Sequence, residues 1–125
     1  MNKHEKILTR AVEQAKKSTH RWQMAAVLTK SGRTLNTANN QPKNNPNTSG
    51  VPINRCSTHA EVAVTRATDA RGSTIYIARI GRNGEPALAK PCRACQQHMH
   101  DLGVKRAIWT INRNSYGVTD LRIGL

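Results

Sequence analysis

The residues best suited to chemistry fall in two short stretches, His59-Ala60-Glu61 and Pro91-Cys92-Arg93-Ala94-Cys95. Imidazole nitrogen and thiolate sulfur are borderline and soft donors that suit zinc. The C-x-x-C spacing sets two sulfurs about one helical turn apart, able to bite one ion. With His59, Cys92 and Cys95 as ligands, a fourth tetrahedral position is left for water, whose pKa zinc draws down to about 7. Glu61 stands two residues beyond His59 on the same expected helix and projects in a different direction. Its carboxylate is therefore better placed beside that water than on the metal. There it can take a proton from the attacking water and hand it to a leaving nitrogen.

Cys56 offers a competing use of the same donors. Cys56 and His59, together with Cys92 and Cys95, would make two chelating pairs and a closed structural zinc site with no water. That reading leaves Glu61 and Pro91 without a part to play, whereas the catalytic reading uses both. His98 and His100 lie further along the second expected helix, where a ligand role would distort its first turn. They are read as surface or hydrogen-bonded histidines.

Several elements must position these residues. From Asn2 to Lys17, Ile7, Leu8, Ala11, Val12 and Ala15 recur at helical spacing opposite Lys3, Lys6, Arg10, Glu13 and Lys17, which predicts an amphipathic helix. Residues 24–29, the turn 30–33 and residues 34–38 read as a hairpin, with Gly32 taking the unusual backbone angles. Ala25 and Ala26 leave room for something to approach the first strand. The stretch 39–57, rich in Asn, Pro, Ser and Gly, reads as a long loop.

Thr58 then caps a helix expected to run to about Ala70, and residues 73–80 are apolar and β-branched enough for a buried strand. Residues 81–86 turn the chain. A second helix is expected from Pro91, whose fixed φ suits a first helical position, to about Leu102. The dipole and N–H groups of a helix start favour thiolates. Residues 104–111 form another strand, and 112–117 read as a turn before a short last strand at 118–123. Too few residues separate these two for a parallel crossover, so the final pair should be antiparallel. Alternating helices and strands of this kind predict an α/β layered sheet.

Bulk properties set the outer limits. A chain of 125 residues suits one domain spanning 1–125. Lys and Arg outnumber Asp and Glu 20 to 7, a formal charge of +13 that attracts phosphorylated or polyanionic partners, so nucleic acid is an admissible one. The aromatic side chains are Trp22, Tyr76, Trp109 and Tyr116, few for a protein that stacks bases. No apolar signal-peptide core and no run near the roughly 20 apolar residues of a membrane span is present, which argues for a soluble, cytoplasmic protein with no membrane partner. Three cysteines do not make a disulfide framework.

H-x-E with P-C-x-x-C is the signature of zinc nucleobase deaminases, and the chain resembles the cytidine and deoxycytidylate deaminase superfamily. The resemblance covers most of its length: N-terminal helix, small-residue hairpin, His-Ala-Glu helix, strand, Pro-Cys helix, strand. It implies the three-layer cytidine-deaminase-like fold, with a central mixed sheet of about five strands flanked by helices. It also implies zinc on His59, Cys92 and Cys95, Glu61 as proton shuttle, and Ala25 and Ala26 at a wall of the base pocket, with Ala60 among the substrate contacts.

Residues 38–46, Ala-Asn-Asn-Gln-Pro-Lys-Asn-Asn-Pro, are similar to the G-x-N-x-x-K-T-H-P segment of bacterial and phage deoxycytidylate-type deaminases. Ala38 stands for Gly there, and Asn44 and Asn45 for Thr and His. That match puts Asn40 at the sugar or base and Lys43 near a phosphate. Pro91 to Gln97 resembles instead the PC-x-A-C-x-Q of short cytidine deaminases. The implied activity is hydrolytic release of ammonia from a cytosine nucleoside or nucleotide by a homo-oligomer. Two alternatives stay open: deamination of cytosine or adenine in DNA or RNA, and a non-enzymatic zinc domain that binds nucleic acid.

Overall fold

The computed structural model describes residues 2–17, 23–39, 64–65 and 69–121. The first helix, α1, spans Lys3–Lys16, and Asn2 caps it by accepting a hydrogen bond from the Glu5 amide at 2.8 Å. An Asn side chain in that place satisfies one of the four amides that a helix start leaves without partners. The apolar stripe foreseen for this helix is buried at Ile7, Leu8, Ala11 and Ala15.

Strands β1 (Gln23–Lys30) and β2 (Arg33–Asn39) form the expected hairpin. Both residues of its tip have positive φ, Ser31 at 53° and Gly32 at 79°. A two-residue turn needs this twice to match the twist of its strands. The glycine was foreseen and the serine was not. β2 includes Asn39, the first residue of the predicted loop, and the rest of that stretch lies outside the described residues.

Strand β3 (Thr74–Ile80) lies antiparallel to β1 and parallel to β5 (Arg106–Asn112), which pairs antiparallel with β6 (Ser115–Asp120). The order is β2-β1-β3-β5-β6. The two-residue β4 (Pro86–Ala87) pairs with the end of β3 at Arg79 and Ile80. The sheet is thus mixed and six-stranded, one more strand than foreseen, and its last pair is antiparallel as the short connection demanded. Helix α2 spans Arg93–Asp101.

Three layers follow from the alternation of side chains along the strands. Val27, Tyr76, Ala78 and Ile108 turn to α1. Ala26, Leu28, Ile75, Ile77 and Ala107 turn to the opposite layer, where Met99 and Cys95 of α2 and the helical residue Val64 cover them. β3 is buried on both faces, which is why its sequence reads as a continuous apolar run. Among the described residues no helix is long and apolar enough to cross a membrane.

Two boundaries differ from expectation. The helix expected to reach Ala70 stops earlier, because Asp69 and Ala70 are not helical. Hydrogen bonds from the Arg71 side chain and amide turn the chain there and hold the Asp69 carboxyl well below the usual carboxylate range. The turn read over 112–117 contracts to Arg113 and Asn114, and Tyr116 and Gly117 belong to β6. Gly117 lies opposite Trp109 on β5, and a Cβ there would overlap the indole ring. The glycine makes room for a tryptophan, whose Nε1–H donates to Thr119 Oγ1 at 3.1 Å. Gly117→Ala is expected to lower stability by about 1–3 kcal/mol in urea denaturation, with partial recovery when Trp109→Leu is added.

A second polar feature sits at the start of α1. His4 Nδ1 and the hydroxyl of Tyr76 share a hydrogen bond of 2.7 Å, and the Tyr116 ring stands edge-on to the imidazole. Burial, then the charges of Lys3 and Arg106, lower the His4 pKa from its ordinary 6.5. Burial raises that of Tyr76, which keeps its proton at neutral pH. Folding therefore favours neutral His4. This contribution is whole above pH 6.5 and is lost as pH falls through the folded value. Denaturation series from pH 7.5 down to 5 should show stability falling, and His4→Gln should remove that part of the slope.

Candidate zinc and substrate site

Cys92 and Cys95 stand at the start of α2, where the chain is fastened before the helix begins. Thr110 of β5, 4 % exposed, does most of the fastening. Its hydroxyl donates to the Ala87 carbonyl at 2.6 Å and accepts from the Arg79 amide at 3.3 Å, while its own carbonyl takes the Ala89 amide at 2.8 Å. One side chain thus joins β3, β5 and the segment leading to the thiols. Ala89 is buried in the same cluster as Cys95.

The helix does not begin at Pro91. Cys92 is the N-cap, with φ −67° and ψ 163°, and Arg93 is the first helical residue. Pro91 stands one place outside the N-cap, buried, and is not part of the first turn. Gln96 closes the turn: its amide donates to the Cys92 carbonyl and its side chain to the Pro91 carbonyl, both at 2.9 Å. Cys92 makes no side-chain capping bond. Neither cysteine is in a disulfide, and the two differ in setting, Cys92 exposed and Cys95 buried.

The far end of α2 is equally defined. Gly103, at φ 85°, lets the Val104 amide reach the Met99 carbonyl and its own amide reach that of His100, so the last turn closes on the core. His100 Nδ1 lies 2.6 Å from the Leu121 carbonyl. A carbonyl only accepts, so that nitrogen carries the proton. His98 Nε2 lies 3.2 Å from Thr65 Oγ1, and the Asn36 amide donates to the Val64 carbonyl at 2.9 Å. Both histidines are hydrogen-bonded, as read from the sequence. The helical residues Val64 and Thr65 are tied to α2 on one side and to β2 on the other.

Ala25 and Ala26, foreseen together, face opposite layers. Ala26 lies in the cluster with Cys95, Val64 and Met99; Ala25 packs with Ala15 of α1 and Ile80. Both are fully buried. What approaches at Ala25 is the first helix. Trp109 leans on the Cys95 cluster, with Lys90 Nζ 6.0 Å from its ring centre. His59, Ala60, Glu61, Asn40, Lys43 and Cys56 lie outside the described residues. Among the described residues, a cavity of about 330 Å³ opens between Leu8, Thr9 and Val12 of α1 and Asn112, Ser115 and Tyr116. It is on the α1 layer, away from the thiols.

Two thiols in the first turn of one helix fit zinc by donor type and spacing, and the described residues supply this pair alone of the expected ligands. Sequence reasoning missed the Thr110 fastening and the Gln96 reach-back. The first leaves no local signal, because Thr110 acts on residues that only the sheet brings near.

Among solved structures, the dCMP deaminase from the cyanophage S-TIM5 in apo form is 20% identical, covers 87% of this chain and 84% of its own, and has a TM-score of 0.63. The cytidine deaminase from Burkholderia pseudomallei is 17% identical over 97% of this chain and 94% of its own, with a TM-score of 0.67. That from Mycobacterium leprae is 16% identical over 97% and 95%, with a TM-score of 0.58. These likenesses show the shared fold. No curated protein matches the chain. The family described as the cytidine and deoxycytidylate deaminase zinc-binding region matches residues 1–111, a span that takes in both thiols and all of α2, and the chain belongs to that family.

Proposed function

We propose that this chain is a hydrolytic, zinc-dependent deaminase of a cytosine nucleoside or nucleotide. The observation that carries the reading is the family match across residues 1–111 with Cys92 and Cys95 at the start of α2. His59, Cys92 and Cys95 would hold the metal. A zinc ion there would supply the Lewis acidity that makes water a nucleophile near neutral pH.

The chain's own groups do the rest. The Glu61 carboxylate takes a proton from the attacking water and delivers it to the ring nitrogen, then takes the proton of the newly added hydroxyl and passes it to the departing amine. The new carbon–oxygen bond replaces the carbon–nitrogen bond, and ammonia leaves. Ala26, on the Cys95 face, and Ala60 bound the base. Ala25 supports that strand from the α1 side. Asn40 holds sugar or base and Lys43 meets a phosphate. The protein works as a homo-oligomer in the cytoplasm.

The test is ammonia release by the zinc-loaded protein from cytidine, deoxycytidine, their monophosphates, adenosine and short single-stranded oligonucleotides. Turnover of a free cytosine compound is the expected result. Activity confined to oligonucleotides would transfer the reading to polynucleotide deamination. No turnover, together with loss of zinc on Cys56→Ala, would replace it with a closed structural metal site.

A further inference from the structure

Part of the positive charge of the chain stands on the first helix. Along α1 and its C-cap, Lys3, Lys6, Arg10 and Lys17 recur at intervals of three, four and seven residues, and all four are exposed. That spacing sets them along one edge of the helix. The edge is the one beside β2, because the Arg10 guanidinium reaches Thr34 Oγ1 at 3.5 Å. Among the described residues the ion pairs are Asp69–Arg71 and Glu85–Arg113, and neither lies on α1. Glu13, exposed, lies on the same edge between Arg10 and Lys17 and is its one acid, and Glu5 faces the cavity by β6 instead. At 1.5 Å per residue the strip from Lys3 to Lys17 is about 21 Å long, the length of about six steps of a duplex strand.

We propose that this strip, Lys3-Lys6-Arg10-Lys17, docks the phosphate backbone of duplex nucleic acid on the layer opposite Cys92 and Cys95. Four cations against the one carboxylate of Glu13 leave the edge a net charge of +3, which complements a line of phosphates. The apolar face of α1 is already spent on the sheet at Ile7, Leu8, Ala11 and Ala15, so the helix has no side chain left to insert into a lipid surface. No aromatic side chain lies on the strip to stack a base, so recognition is of backbone and not of sequence. The sheet separates the strip from the thiols. A duplex bound there tethers the protein without presenting a base to the site, and the inference stands independently of the substrate proposed above.

The experiment is fluorescence anisotropy of the intact protein with a labelled DNA duplex, from 50 to 200 mM salt. Four phosphate contacts predict a log–log slope of about −3.6, a weakening of about 150-fold across that range. The variant with Lys3, Lys6, Arg10 and Lys17 all changed to Gln should lose most of the slope while keeping the wild-type circular dichroism and its activity on free nucleosides. A second variant, with Arg82, Lys90, Lys105 and Arg113 changed to Gln, removes the same charge away from α1, β1 and β2 and should keep the slope near −3.6. Equal losses in the two variants would overturn the proposal, as would absent duplex binding or strip-dependent binding to phosphatidylserine vesicles in its place. Loss of nucleoside turnover in the wild type would count against the proposed reaction and leave the strip untouched.

Discussion

Glu61→Ala is expected to leave the protein folded and loaded with zinc while lowering kcat by about 10³-fold or more. General acid–base groups contribute about 10²–10⁴, and this one is asked to move two protons in one cycle. A residue that merely shaped the pocket would raise KM and spare kcat; a proton carrier lowers kcat and kcat/KM together. Glu61→Gln sharpens the comparison, since it keeps shape and hydrogen bonding and removes only the exchangeable carboxyl proton. The checks are metal content by atomic absorption, the thermal midpoint, and steady-state kinetics on the best nucleoside. If Glu61→Gln kept wild-type kcat, the proton-shuttle role would be wrong whatever the fold. If both variants lost zinc, Glu61 would be a ligand, and the three-donor reading would fail instead.

Local periodicity and connection length carried most of the fold. The apolar stripe from Ile7 to Ala15 and the 24–38 hairpin are properties of neighbours in sequence, and both stand in the structure. So does the antiparallel final pair, which followed from the few residues between its strands. The misreadings share one cause. Pro91 suits a first helical residue, yet the helix starts at Arg93, after a segment that Thr110 of β5 fastens at Ala87 and Ala89. Tyr116 and Gly117 look like a turn by composition, yet Trp109 across the ladder makes them strand. Ala25 and Ala26 read as a pair because they are adjacent, and the same adjacency sends them to opposite layers. The thiol pair was legible as two cysteines at a chelating spacing. Their unequal burial was not, since it depends on which side of α2 meets β1 and β3.

That inequality makes the two cysteines separable in experiment. Cys92→Ser and Cys95→Ser should both reduce bound zinc from about one per chain to a small fraction, because a neutral hydroxyl is a poor substitute for a thiolate on this metal. Both therefore lose whatever stability the metal adds by binding only the folded state. Only Cys95→Ser carries a further cost. Its side chain is 5 % exposed, in a cluster with Ala26, Val64, Ala89 and Met99, where a hydroxyl costs about 1–3 kcal/mol more than a thiol unless it finds a partner. Cys92 is exposed and does not bear that cost. Denaturation with a chelator present removes the metal contribution from all samples and leaves the core contribution alone. Under those conditions Cys92→Ser should match the wild type, and Cys95→Ser should unfold at lower urea. Equal stability of the two variants without metal would mean that the Cys95 sulfur adds nothing to the core, leaving zinc as the sole reason for a thiol at that position.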